Sequence, residues 1–283
     1  MKEIIIKNKK DFEKKLSKIK KDGIKTLHVI SDFDKTITKA KVKGQKTHTS
    51  IAQIREGNYL SEEYVKRSYE LYDKYHPFET NNSLSEKQIN KKMMEWWQGH
   101  INLLVEQKMN KKIVNEIIRK KSIKLRKNAD KLFGVLDEKK IPFLIFSAGV
   151  GDIIQGYLKS EQLLYKNIHI ISNFFNYNKK GYVKGYTSNI IHAYNKDELS
   201  LKKTPYFEKI KKRKNVILLG DNLGDAEMAN GLNHETVLKI GFLNEEVKKN
   251  VDAYKKSFDV LILNDGPMDF VLSVIKSIKQ QTI

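Results

Sequence analysis

A chain of 283 residues has room for one large domain or for a core with a smaller insert, and the absence of cysteine excludes disulfides, thiolate zinc and cysteine nucleophiles. Its 54 Lys and Arg outnumber 34 Asp and Glu, a net charge of +20 that invites a nucleic-acid partner. The excess is nearly all lysine, spread along the chain in clusters such as Lys139-Lys140 and Lys211-Lys212-Arg213-Lys214 that read as helix ends and loop tips, so it is taken as a solvated surface that attracts anionic substrates rather than a reader of nucleic acid.

In chain order, Met1-Lys2-Glu3-Ile4-Ile5-Ile6-Lys7 is too short and too charged for a signal peptide. No apolar run reaches the roughly 18 residues of a membrane span. A cytoplasmic protein with no membrane contact is the expectation. Phe12, Leu16 and Ile19 predict a short amphipathic helix, and an apolar stretch over 26–30 reads as the first buried strand. After Thr38 the pattern changes. Residues 41–58 are polar, Tyr64, Val65, Tyr69 and Tyr72 suggest a helix, and Ser85-Glu86-Lys87-Gln88 fits a capping box. Behind it Ile89, Met93, Trp96, Trp97, Ile101 and Leu104 recur at helical spacing, and Ile113, Val114, Ile117 and Ile118 continue as another helix. Residues 47–125 therefore read as a helical cap inserted into an α/β core made of 1–46 and 126–283.

From Asn128 onward helix and strand alternate. Leu132, Phe133 and Leu136 lie on a helix, Pro142-Phe143-Leu144-Ile145-Phe146 is a buried strand, and a helix over 152–158 precedes a strand over 168–171. Turn signals at Asn178 and Gly181 make 176–185 a hairpin. Strands follow at 216–219, 237–240 and 260–263, with a helix from about Asp225 and a last one from Met268 to about Ile278. Such alternation predicts a Rossmann-like parallel sheet with helices on both faces.

The chemistry sits at predicted strand ends, where ligands bind in open α/β sheets. Asp32 and Asp34, spaced i and i+2 in Ser31-Asp32-Phe33-Asp34-Lys35-Thr36, follow the first strand. One such carboxylate can attack an electrophile, while the second protonates the leaving group and later activates water. The pair is also half of a hard-cation site, although an Asp-rich turn capped by Thr fits these residues equally well. Phe146-Ser147-Ala148-Gly149 places small residues at the mouth of a helix, where backbone N–H groups and a hydroxyl can approach a phosphate. In Gly220-Asp221-Asn222-Leu223-Gly224-Asp225 a further carboxylate stands at a strand end, and Asp225 is placed to hold the loop or add charge. Lys196, one lysine among many, would by itself be read as surface.

In this order the four stretches resemble the haloacid-dehalogenase-type phosphatases. A closer resemblance, over roughly residues 25–265, is to the cytosolic pyrimidine 5′-nucleotidase family, some of whose members act on 7-methylguanosine monophosphate. It is carried by His76-Pro77-Phe78-Glu79, Met94-Glu95-Trp96-Trp97, Phe146-Ser147-Ala148-Gly149-Val150-Gly151-Asp152, Ile171-Ser172-Asn173-Phe174, Ile191-His192-Ala193-Tyr194-Asn195-Lys196 and Leu218-Leu219-Gly220-Asp221. The resemblance implies a Mg²⁺-dependent enzyme that hydrolyses nucleoside 5′-monophosphates through an aspartyl-phosphate; a monomer is a separate expectation. Asp32 would be nucleophile and metal ligand, Asp34 the general acid/base that also binds the metal through its backbone carbonyl, and Asp221 the completing ligand. Ser147 and Ala148 would hold the phosphate, Lys196 would neutralise it, and Glu79 in the cap would contact the nucleoside. Two departures stand out. After the Trp pair this chain reads Gln98-Gly99-His100, so His100 replaces a small residue facing the nucleotide, and Lys35 is charged where the family is often apolar. Two rivals remain: a phosphatase of the same superfamily acting on a substrate such as phosphoserine, and a basic nucleic-acid-binding protein whose acidic motifs are inert.

Overall fold

The computed structural model describes residues 3–79, 84–196, 201–202 and 204–279. The chain begins with β1 (Ile4–Ile6) and α1 (Lys9–Asp22), which is capped by the Asn8 side chain and buries Phe12 and Ile19. In β2 (Leu27–Ser31) every residue is buried, as befits a parallel strand covered on both faces. A small hairpin, β3 (Lys41–Val42) and β4 (Gln45–Lys46), leads to four helices: α2 (Ala52–Glu56), α3 (Glu62–Glu79), α4 (Glu86–Glu106) and α5 (Lys111–Lys120). After them come α6 (Ala129–Glu138), β5 (Phe143–Val150), α7 (Gly151–Ser160) and β6 (Ile168–Asn173). The hairpin β7 (Phe175–Tyr177) and β8 (Val183–Tyr186) precedes α8 (Pro205–Ile210) and β9 (Asn215–Gly220). The remaining elements are β10 (Thr236–Leu243), α9 (Val247–Ser257), β11 (Val260–Leu263) and α10 (Asp269–Lys276). No helix among the described residues is long and apolar enough to cross a membrane.

The central sheet runs β1-β11-β10-β9-β2-β5-β6, with β1 antiparallel to β11 and the other pairs parallel. From β2 the chain builds outward in both directions, so the strand order reverses beside it. That reversal opens a crevice at the carboxyl ends of β5, β2 and β9. Ser31 is level with Ile145 on one side and Leu219 on the other. Asp32, Ser147 and Asp221 therefore lie one or two residues past a common line. The period of two in each strand divides the core. Val29, Phe143, Ile145 and Ile217 face one layer with Phe12 and Leu132, while Ile30, Leu144, Val216 and Leu218 face the other with Tyr206 and Phe258.

The outgoing and returning ends of the helical insert run side by side. Thr38 bridges Leu125, Lys39 N donates to Lys124 O at 2.8 Å, and Arg126 N donates to Ile37 O at 2.9 Å. The Ser85–Gln88 capping box forms as expected at the start of α4. Four local features differ from the sequence expectation. Ile4–Ile6 forms β1, a strand that three isoleucines are too short a run to signal by period. The stretch 41–58, read only as polar, contains β3, β4 and α2, and buries Gln53 and Ile54. β5 continues through Ser147-Ala148-Gly149 to Val150 with a shift of register after Phe146, so these small residues end the strand and the helix follows directly, at Gly151. Past Asp221 the chain makes a 3-10 turn (Leu223–Glu227) instead of an α-helix. There the Asp225 side chain turns back to accept from Asp221 N and Asn222 N, which tightens the loop.

Candidate active site

Asp32, at the end of β2, is buried, and its N–H donates to Leu219 O at 3.0 Å, which ties it to β9. Lys196 Nζ lies 2.6 Å from Asp32 Oδ1 and 2.9 Å from Asp225 Oδ1. Burial pushes the Asp32 carboxyl well above the usual carboxylate range, with Lys196 opposing and Asp225 and Asp221 adding to the rise. For Lys196 burial alone would lower the ammonium, but Asp225 and Asp32 outweigh it and hold it above its ordinary value. Asp221 accepts from Thr36 Oγ1 at 3.2 Å, and burial with the nearby Asp225 raises it to about 7. Tyr254 Oη fixes the same turn by donating to Asp221 O at 2.6 Å.

One oxygen from each of Asp32, Asp221 and Asp225 falls within 4.8 Å of the others. The set is all oxygen, crowded and short of positive charge, which suits a small hard cation. Asp34 contributes its carboxylate elsewhere. Ser50 N donates to its Oδ1 at 2.9 Å and Ser50 Oγ to its Oδ2 at 2.7 Å. Burial raises the Asp34 carboxyl, and the two Ser50 bonds pull it back.

Ser147 is buried, and its hydroxyl accepts from Gly149 N at 3.1 Å. Asn173 Nδ2 donates to Ala148 O at 2.7 Å and to Ile191 O at 2.8 Å, joining this turn to the stretch of loop that carries Lys196. A cavity of about 360 Å³ opens above these groups and is lined by Asp32, Asp34, Ser147, Ala148, Lys196 and Asp221 on the core side. Its cap side carries Glu79, His100, Tyr72, Trp96, Trp97 and Arg55. Glu79 ends α3, which includes Pro77 in its last turn. Burial raises its carboxyl, against Lys35 and Lys196, and Tyr194 Oη donates to its backbone carbonyl at 2.6 Å. His100 Nε2 lies 3.1 Å from Tyr64 Oη, and burial, helped by Arg55, lowers its imidazolium to about 4. Tyr72 and Trp96 meet edge to face with centroids 5.8 Å apart. All eight residues expected at the site thus border one cavity.

Sequence reasoning missed three supports. Ser50 lies in a polar stretch without a pattern. Thr36 was read only as a turn residue. Arg126 is fully buried at the cap's return. Its guanidinium donates to Thr36 O at 2.8 Å, Gly266 O at 2.8 Å and Lys35 O, and pairs with Asp265 at 3.0 Å. It thereby holds the backbone of the acidic loop, where Lys35 has a left-handed φ of 60°. Burial lowers Arg126 to about 10, with Asp265 and Asp221 opposing. Its one sequence signal is an arginine in a lysine-dominated chain.

A family model for pyrimidine 5′-nucleotidases (UMPH-1) matches residues 35–279. The chain belongs to that family. This nucleotidase is 35% identical over 267 residues to the 7-methylguanosine phosphate-specific 5′-nucleotidase of Gallus gallus, covering 93% of this chain and 92% of the relative. It is 34% identical over 266 residues to the Homo sapiens enzyme of the same name, covering 94% and 89%. The crystal structure of cytosolic 5′-nucleotidase IIIB (cN-IIIB) bound to cytidine superposes on it with a TM-score of 0.89 at 28% identity, covering 98% of this chain and 94% of that one. A substrate-bound phosphoserine phosphatase shares the fold alone, with a TM-score of 0.53 at 16% identity over 88% and 97% of the two chains. The nucleotidase is accordingly a phosphoric monoester hydrolase with the haloacid-dehalogenase-like fold that the motif order implied.

Proposed function

We propose that this nucleotidase hydrolyses nucleoside 5′-monophosphates, with CMP, UMP and 7-methyl-GMP as its substrate class, in two steps on Asp32. The carrying observation is the buried Asp32–Lys196 pair, which opens into a cavity walled on the opposite side by a carboxylate and aromatic rings. A phosphate monoester dianion repels a carboxylate, so the site must offset that repulsion before chemistry can begin. Lys196 and the Ser147-Ala148-Gly149 turn meet the phosphate oxygens. Asp32, Asp221 and the backbone carbonyl of Asp34 would hold Mg²⁺, with Asp225 behind them, and the ion when bound supplies further charge neutralisation.

Asp32 then forms a bond to phosphorus as the P–O5′ bond breaks, and O5′ leaves with the proton of Asp34 as the free nucleoside. A water molecule next gives its proton to Asp34 and bonds to phosphorus, the bond to Asp32 breaks, and inorganic phosphate departs. The helical cap keeps bulk water from the phosphoryl group and presents Glu79 to the base. A carboxylate accepts from the N–H groups of cytosine, uracil or guanine, and beside aromatic faces it also suits the cationic ring of 7-methylguanine. The names of the relatives and the cytidine in the matching structure support the same class.

Phosphate release should be measured from CMP, UMP, 7-methyl-GMP, AMP and phosphoserine, with and without EDTA. Release from at least one of the first three, abolished by EDTA and in Asp32→Asn, is the expected result. Full release in EDTA, or faster release from phosphoserine than from any nucleotide, overturns the reading.

A further inference from the structure

Ser50 is fully buried in the segment that carries the chain from β4 into α2, at the entrance to the cap. Both oxygens of the Asp34 carboxylate accept from this one residue, Oδ1 from its N–H at 2.9 Å and Oδ2 from its hydroxyl at 2.7 Å. The hydroxyl oxygen in turn accepts from Val150 N at 3.2 Å, at the end of the strand that bears Ser147 and Ala148. Space for this contact exists because residue 149 is glycine. A Cβ there would stand 2.0 Å from Ser50 Oγ and 2.9 Å from Asp34 Oδ2. Three separate pieces of chain, the acidic loop, the cap entrance and the phosphate turn, therefore meet at one hydroxyl.

A carboxylate gripped at both oxygens by donors on a fixed backbone cannot swing about its last torsion. Each oxygen keeps a second lone pair, so the grip leaves room for the proton that Asp34 must carry. We infer that Ser50 is a positioning residue for proton transfer, one that sets the plane of the Asp34 carboxyl and makes it depend on how the cap entrance lies against the core. The inference rests on the reading of Asp34 as the general acid/base. It also gives the cap a part in the chemistry beyond enclosing the substrate. Displacement of the entrance segment withdraws both bonds from Asp34 together.

The leaving group supplies the test. A nucleoside leaves as a poor alkoxide and needs the proton, whereas p-nitrophenolate departs without one. The value of kcat/KM reports attack on phosphorus and departure of the leaving group, before water enters. In Ser50→Ala, kcat/KM for the better of CMP and 7-methyl-GMP should fall on the order of 100-fold, the scale of a misplaced catalytic group. For p-nitrophenyl phosphate the fall should be far smaller, and across a series of aryl phosphates the dependence on leaving-group basicity should steepen. Ser50→Thr, which keeps the hydroxyl, should restore much of the nucleotide rate. Because the two substrates are compared on the same preparation, a misfolded fraction cancels from the ratio. Equal losses on both substrates, or none on either, overturn the inference. Asp34→Asn serves as the control. If it too lacks a leaving-group dependence, the acid/base role of Asp34 falls; if it shows one and Ser50→Ala does not, the role of Ser50 falls alone.

Discussion

Glu79 ends α3 at the cavity wall, where burial already disfavours its charge and the helix C-terminus adds to that cost. A base that donates to this carboxylate relieves the strain, and a charge-assisted hydrogen bond of this kind contributes about 1.5–3 kcal/mol. Glu79→Ala should lower kcat/KM for the preferred nucleotide roughly 10- to 150-fold. Hydrolysis of p-nitrophenyl phosphate, which carries no base, should change far less. Equal losses would assign Glu79 to the placement of the cap. At His100 the relevant variable is pH. Its imidazolium is lowered from 6.5 to about 4, so between those values the unfolded chain binds a proton that the folded chain refuses. The stability this group contributes is complete above pH 6.5 and is lost as pH falls toward 4. The Tm of His100→Leu relative to wild type should therefore rise between pH 7 and pH 5, and a difference constant with pH would mean that the ring titrates in the fold as it does in the unfolded chain. Asp32, Asp34 and Asp221 were legible because their chemistry needs acidic groups just past buried strands, whereas Lys196, in a loop and one lysine among many, stood out only through the family resemblance. Ser50 and Arg126 were not legible, since a support is defined by what it touches, and contacts across 16 and 90 positions leave no local pattern.

The two chain connections to the cap pair with each other, and Arg126 binds that pairing to the acidic loop. Its buried guanidinium serves the carbonyls of Lys35, Thr36 and Gly266 as well as Asp265, and Asp265 accepts in turn from Ala40 N at 2.9 Å. Arg126→Leu leaves a carboxylate and three carbonyls without their partner, and breaking a buried pair from one side costs about 3–5 kcal/mol. Urea unfolding should show a loss of that size. A loss under about 1 kcal/mol would mean that water replaces the guanidinium. Strands covered on both faces were the readable elements: β11 lies on its expected bounds, because an unbroken apolar run admits few alternatives. The 3-10 turn after Asp221 was not readable, because a helix start and a single tight turn share the same capping residues.

Over the whole molecule, 54 basic residues against 34 acidic ones surround a pocket that is itself rich in carboxylates. Many of the lysines are already engaged with carboxylates at the surface, Lys15 with Asp259 at 2.8 Å and Lys46 with Glu245 at 2.7 Å among them. The remaining field is long-range and screened by salt, with a Debye length of about 8 Å at physiological ionic strength. It should raise the encounter rate with dianionic nucleotides, so that kcat/KM declines as salt increases while kcat holds. Retention on RNA or duplex DNA should be weak and disappear between low and moderate salt. Tight, sequence-selective binding at physiological salt would give the lysines a function of their own.

The bond from Tyr194 Oη to the carbonyl of Glu79 spans the cleft two residues before Lys196. It joins the loop proposed to grip phosphate to the helix end proposed to read the base. Linkage then makes the two products synergistic, since whatever steadies one end of the strut favours occupancy of the other by the same factor. Cytidine and inorganic phosphate together should inhibit more than the product of their separate effects. Tyr194→Phe should make the two inhibitions independent. The order in which the products depart would then cease to matter, and each half of the emptying site would answer only to its own ligand.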